Sequence, residues 1–259
     1  MSKEQPVIDF TLKQLMQAGV HFGHTTRKWN PKMAPFIYGV RSGVHIINLE
    51  ATAPLLRKAL AKVHEVAKNN GKILFVGTKR QAQDIVQEAA LSSGQYFVNH
   101  RWLGGCITNW DTVSQSIVAL KDLRQQLDNA EESGLTKKEL LMLSRKRDKM
   151  ELVLGGIDEL NGTPDLVFVL DADRDDIAIR EANIKGIPVV AILDTNASPD
   201  GVDYPIPGND DVIRAIRLYC RLVVEAILKG TESAYSEAGV DLGAATELAE
   251  ESVLASTKA

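Results

Sequence analysis

Short apolar runs alternating with stretches of helical spacing constrain this chain more than any other feature of its sequence. The runs are His45 to Leu49, Lys72 to Val76, Tyr96 to Asn99, Leu166 to Leu170 and Val189 to Leu193. Strands this short and this apolar are buried on both faces, as in a parallel sheet covered by helices. Between and around them, Thr52 to Lys68 and Arg80 to Ser92 have helical spacing, with Thr52 placed as N-cap and Pro54 in the first turn. Asp175 or Asp176 can cap a helix through Lys185, and Asn209 one through Leu228. The pattern predicts an α/β fold, a doubly wound parallel sheet of about five strands, flavodoxin-like or Rossmann-like. A short helix from Thr11 to Ala18 comes first, followed by HFGHTTRKWNPKMAPFIYGVRSG, which has neither period and reads as a long ordered loop or interaction segment.

A simple crossover does not need residues 111–157, which read as two long helices broken near Glu132-Ser133-Gly134. Val113, Ile117, Leu120, Leu123 and Leu127 share one face. Leu140, Leu143, Arg147, Met150, Leu154 and Ile157 are spaced by alternating threes and fours, a heptad-type stripe. The pair is expected as an inserted antiparallel coiled-coil hairpin; the alternative is two helices lying flat on the domain. The expected organisation is therefore an α/β domain from 1–110 and 158–230, a hairpin from 111–157, and a flexible acidic tail from 231–259.

Charge is unevenly spread over the 259 residues. The formal net is -4, but residues 1–110 hold 14 Lys and Arg against 6 Asp and Glu, a net of +8, with all five histidines and all three tryptophans. Residues 111–160 carry -2 and residues 161–259 carry -10. Charges beyond about 8 Å are screened at physiological salt, so the basic part can face a polyanion whatever the total. It can equally neutralise the acidic part inside one fold. No window approaches the roughly 18 apolar residues of a membrane span and the start lacks a secretory h-region, so a cytoplasmic protein without a membrane partner is expected. Cys106 and Cys220 show no metal or disulfide spacing and are expected as small buried residues.

Catalytic motifs are incomplete. FVGTKRQA (Phe75 to Ala82) is a strand, a Gly turn and a helix start, which favours an anion and carries Lys79 and Arg80, although an ordinary βα turn with exposed cations has the same pattern. VFVLDADRDD places Asp171, Asp173, Asp175 and Asp176 at a strand end, where a magnesium-dependent phosphoryl-transfer enzyme could hold its ion. Such a site wants a lysine between Thr195 and Asp210, and none is present, so helix capping is the expected role of the cluster. His21 and His24 are a weak metal signal because no cysteine or carboxylate lies near them in sequence. No metal, no cofactor, no small-molecule substrate and no catalysis are expected.

The aromatic-basic segments Arg27 to Arg41 and Asn99 to Trp110 say more, because cations meet phosphates while flat rings stack on bases. Candidate RNA contacts are His21, His24, Arg27, Lys28, Trp29, Lys32, Arg41, Lys79, Arg80, His100, Arg101 and Trp102. Trp102 and Trp110 are also candidates for core anchors.

HFGHTTRKWNPKMAPFIYGVRSGVHIINLE, ILFVGTKRQA, FVNHRWLGGCITNW, DADRDDIAIREAN, GIPVVAILDTN and IPGNDDVIRAI together closely resemble the bacterial small-subunit ribosomal protein S-two family, in order, from Thr11 to about Gly230. The resemblance implies an α/β domain with a protruding coiled-coil hairpin, seated where head and body of the small subunit meet. It also implies binding to 16S ribosomal RNA, a place among small-subunit proteins, and help in docking ribosomal protein S-one, a structural role in translation.

Overall fold

The computed structural model of the chain describes residues 8–129 and 136–237. In chain order the elements are α1 (Leu12–Ala18), β1 (Phe22–Thr25), two short 3-10 turns (Thr26–Lys28 and Pro31–Phe36), β2 (Ile37–Arg41), β3 (Val44–Ile47), α2 (Leu49–Lys68), β4 (Ile73–Val76), α3 (Gln83–Ser92), β5 (Tyr96–Val98), α4 (Trp110–Asp128), α5 (Lys137–Leu154), β6 (Leu166–Val169), α6 (Asp176–Lys185), β7 (Val189–Leu193), β8 (Tyr204–Pro207) and α7 (Ile213–Glu237).

Five strands form an all-parallel sheet in the order β5-β4-β6-β7-β8. Counted along the chain this is 2-1-3-4-5, the flavodoxin-like order, with its switch point between β4 and β6. Strand alternation sorts the core into two layers. Ile73, Phe75, Leu166, Phe168, Val190 and Ile192 face α2, α3 and α7, while Leu74, Val76, Val167, Val169, Ala191 and Leu193 face α4 and α6. Burial on both faces explains why these runs are continuously apolar. A second, three-stranded antiparallel sheet, β1-β3-β2, flanks the first. Its β2–β3 hairpin turns through Ser42 and Gly43, both at positive φ, the geometry that matches strand twist in a two-residue turn.

The structure corrects several expectations. The run from His45 to Leu49 is not a parallel strand; it supplies β3 and then the start of α2. The fifth parallel strand is β8, which the sequence hid behind Pro205 and Pro207, residues tolerated here because β8 is a sheet edge. The segment expected to be irregular contains β1 and β2. Asn48, not Thr52, caps α2 by accepting from the Glu50 N–H at 3.0 Å, and Thr52 Oγ1 instead donates to Pro207 O at 2.7 Å. Helix α3 starts at Gln83, so Lys79 and Arg80 lie in the preceding turn. Asn209 does cap the approach to α7, its Oδ1 accepting from Val212 N at 2.6 Å. That helix continues past Gly230 to Glu237, whose carboxylate meets Lys68 Nζ at 2.5 Å. The rest of the expected tail lies outside the described residues.

Helices α4 and α5 are tied to each other by Arg124, which reaches Glu151 at 2.5 Å and Asp158 at 2.7 Å. Val113, Ile117 and Leu120 of α4, with Leu154 and Ile157, belong to the core layer under the sheet. Farther out on α5, Leu141 and Met142 are exposed. The base of the expected hairpin is thus part of the domain core, and the break itself lies outside the described residues.

Candidate functional site

At the carboxyl ends of the parallel strands, side chains distant in sequence converge. Lys79, from the turn after β4, places Nζ 2.8 Å from Asp210 Oδ1, 2.6 Å from Asp211 Oδ1 and 3.3 Å from Asp171 Oδ2. Asp171 follows β6, and Asp210 and Asp211 follow β8. Beside them Asp175 accepts from Thr78 N at 3.1 Å and from Thr78 Oγ1 at 2.7 Å, across the β4–β6 switch point, where open α/β sheets carry ligands. Asp175 therefore spends its carboxylate on the β4 turn and makes no side-chain helix cap, contrary to the capping role expected of it.

The antiparallel sheet closes this end. His24 of β1 puts Nδ1 3.1 Å from Asp194 Oδ2 and Nε2 3.4 Å from Asp211 Oδ2. Its backbone N–H donates to Thr195 Oγ1 at 2.9 Å, and Asn209 Nδ2 donates to Phe22 O at 2.7 Å. A glycine is required at position 23, where a Cβ would stand 2.6 Å from Thr195 Cγ2.

Electrostatics in the cluster follow from burial and pairing. Contact with the Asp194 carboxylate pushes His24 up to about 8 against the opposing pull of burial. Burial, reinforced by the nearby charges of Asp171 and Asp194, pushes Asp210 up to about 7, while Lys79 pulls it back. Burial alone would lower the Lys79 ammonium, but its hydrogen bonds to Asp210 and Asp211 hold it above the ordinary value.

Two expectations change here. The cation absent between Thr195 and Asp210 is supplied by Lys79 from another strand, so the sequence argument that the acidic residues lack a lysine does not hold in space. Lys79 is also turned inward, its side chain only 12% exposed, and His24 faces carboxylates, so neither presents itself to an RNA phosphate.

Trp102 is likewise a core residue and not a stacking platform. Its indole Nε1 donates to Glu181 Oε1 at 3.0 Å, and the same buried carboxylate accepts from the N–H groups of Gly105 at 2.8 Å, Ile107 at 3.0 Å and Thr108 at 3.1 Å, and from Thr108 Oγ1 at 3.0 Å. Gly105 reaches that position at φ 88°, a conformation costly for a side-chain-bearing residue. Glu181 was missed in the sequence, although it falls on the apolar face of α6 with Ala178 and Ala182.

Among the described residues Arg27, Lys28, Arg41, Arg80 and Arg101 are exposed and make no ion pair. Trp29 is 40% exposed and leans on His45, with ring centroids 5.3 Å apart. His21 is partly buried, which lowers its pKa, and His100 rests on Asn99 Oδ1 at 2.9 Å. Lys32 is exposed but paired with Asp200. Arg27, Lys28 and Trp29 sit next to the Asn30–Thr195 backbone bond, and Arg80 and Arg101 follow β4 and β5, so these groups share the carboxyl-end rim of the sheet. The regional charge of -10 concealed another exposed cationic row, Arg214, Arg217 and Arg221, which helical spacing places along one side of α7.

Comparison with known proteins gives a consistent result. The sequence profile of the family described as "Ribosomal protein S2" matches residues 15–230. The chain is 56% identical over 242 residues to the small ribosomal subunit protein uS2 of Rhodospirillum centenum, covering 93% of each chain. It is 54% identical over 245 residues to the uS2 protein of Acidiphilium cryptum, covering 95% of each, and 59% identical over 219 residues to that of Erythrobacter litoralis, covering 85% of this chain and 89% of the other.

Proposed function

Since the chain belongs to the ribosomal protein S2 family, a small-subunit protein of the bacterial cytoplasm with a role in translation, we propose that it is a structural constituent that holds 16S ribosomal RNA on the carboxyl-end rim of its parallel sheet. The observation that carries this reading is the set of exposed, unpaired cations on that rim, Arg27, Lys28, Arg80 and Arg101, with Trp29 among them. Arg41 extends the surface along β2, where Tyr38 is 79% exposed. Phosphates meet the cations and an unstacked base can lie on the indole. Domain organisation follows the same reading: the α/β body binds and the outer part of the 111–157 insertion reaches away from it. Docking of ribosomal protein S-one rests on the family resemblance.

No catalysis is assigned. Asp171 spends Oδ1 on the Arg174 N–H at 3.0 Å and Oδ2 on Lys79, so the residue placed to act as a phosphoryl acceptor is held by its neighbours. Sedimentation of a lysate through a gradient tests the structural role: the protein is expected with small subunits, and a protein that stays at the top overturns it. Binding of the purified protein to a 16S fragment is expected to weaken steeply with salt; insensitivity to salt would remove the electrostatic account.

A further inference from the structure

We infer that the groove between α3 and α7 is a docking site for an acidic, small-residue amphipathic helix, and that its occupant is this chain's own segment 244–255, folded back along α7. The groove has a volume of about 440 Å³ and lies on the helix-covered face of the parallel sheet. Ile85 and Ala89 of α3 and Cys220 of α7 are buried beneath it. Arg217 and Arg221 line its α7 side, and the one carboxylate among its lining residues is Glu88 on the α3 side.

Two properties of this groove select its occupant. The first is charge. Arg217 and Arg221 are exposed, stand four residues apart on one side of α7, and make no ion pair among the described residues. Glu225, the next carboxylate along the helix, is taken by Lys229 at 3.2 Å, so the two arginines outnumber the single Glu88 facing them. The second is the apolar floor beside the cations. A phosphate backbone would use the guanidinium groups and leave Ile85, Ala89 and Cys220 facing water, whereas an amphipathic helix uses both. Alanine on the α3 wall leaves the groove shallow, which suits a helix whose buried face carries small side chains.

Residues 238–259 carry that chemistry. Asp241, Glu247, Glu250 and Glu251 against Lys258 give their side chains a net charge of -3. At helical spacing Ala245, Leu248, Ala249 and Ser252 share one face, and Glu247 and Glu251, four apart like the two arginines, border it. Reach is sufficient. Helix α7 ends at Glu237, whose pairing with Lys68 fixes where the segment departs. From there back to Val224 in the groove is about 20 Å at 1.5 Å per helical residue. Residues 238–243, with Gly239 and Gly243 to turn on, cover about 20 Å when extended. Residues 244–255 as a helix then measure about 18 Å and lie beside Arg217 and Arg221. The inference does not rest on the RNA reading, because the groove is lined by α3 and α7 and not by Arg27, Lys28 or Arg101.

The test is amide hydrogen exchange, read by mass spectrometry, on the purified full-length chain. Amides of 244–255 are expected to exchange about 10-fold or more slowly than in a synthetic peptide of the same residues. Arg217→Glu with Arg221→Glu should abolish that protection, and adding Glu247→Arg with Glu251→Arg to the same chain should restore it. Circular dichroism establishes that these variants are folded. Leu248→Asp, which lies outside the folded body, should also lose the protection and leave the melting transition unchanged. Exchange at the peptide's rate in the wild type, or protection that survives the Arg217/Arg221 reversal, overturns the proposal. Protection that falls on dilution would put the segment in the groove of a second copy and overturn the fold-back. An unprotected segment, together with weaker binding of a 16S fragment by the Arg217/Arg221 variant, would assign the arginines to RNA instead.

Discussion

Trp102 Nε1 and Glu181 Oε1 are joined by a hydrogen bond of 3.0 Å, buried, between a loop that reads as an RNA-binding segment and a helix that reads as an ordinary amphipathic crossover. One carboxylate thereby organises the whole turn from Trp102 to Thr108. A carboxylate, with acceptor capacity only, suits five converging donors; an amide does not.

Glu181→Gln is therefore expected to destabilise the protein by about 2 to 4 kcal/mol, because either orientation of the amide turns its NH2 toward at least two donors. Urea unfolding followed by tryptophan fluorescence measures the change. A loss within experimental error of zero would show that the turn is held by its backbone alone.

The same carboxylate sets a pH dependence of known sign. Burial would raise the Glu181 pKa, but the bonds from Trp102, Gly105, Thr108 and Ile107 win and hold it below 4.5. A depressed folded pKa contributes stability that is present above the unfolded value and is lost as pH falls through the folded one. The stability difference between wild type and Glu181→Gln should thus be constant from neutral pH down to about 4.5 and shrink below it. A difference that grows on acidification contradicts the assignment.

Inward and outward cations should separate experimentally. Arg27→Glu with Lys28→Glu is expected to leave the melting temperature unchanged while lowering the log-log salt slope for a 16S fragment by up to about 2, if the value of about 0.9 per phosphate for B-DNA carries over to duplex RNA. Lys79→Met should do the reverse, costing about 3 kcal/mol or more by stranding buried carboxylates, with the salt slope unchanged. Matching slopes for the wild type and the Arg27/Lys28 variant would exclude that pair from the interface.

Truncation should divide the insertion. Replacing residues 125–149 by a short Gly-Ser bridge removes the outer part and spares Val113, Ile117, Leu120 and Leu154, so calorimetry should still show one sharp transition. Removing 111–157 entirely strips one face of β4 and β6 and should abolish cooperative unfolding. A sharp transition in the larger deletion would mean that the helices add nothing to the core.

How much was legible follows from which interactions are local. Period and composition mark β4, β6 and β7, because strands buried on both faces must be apolar throughout; they also mark the partly buried edge strand β5, and Asn209 marks the approach to α7, whereas the cap expected of Asp175 on α6 is not made. They fail for β8, where prolines are admitted only because the strand is an edge, and for His45 to Leu49, whose apolar run serves a different sheet. The twelve candidate RNA contacts include residues that the fold leaves outside, such as Arg27 and Arg101, and residues that it turns inside, such as Lys79 and Trp102.

By itself, then, the sequence determined the α/β class, most of the parallel sheet and the family, since these reside in repeated local patterns and long strings of matching residues. Only the tertiary structure decided what each polar side chain faces. Lys79 meets Asp171 and Asp210, His24 meets Asp194, and Trp102 meets Glu181 across sequence separations that no spacing rule covers. Those pairings arise because a parallel sheet gathers the ends of remote strands at one rim, where burial makes an unpaired charge too costly to leave without a partner.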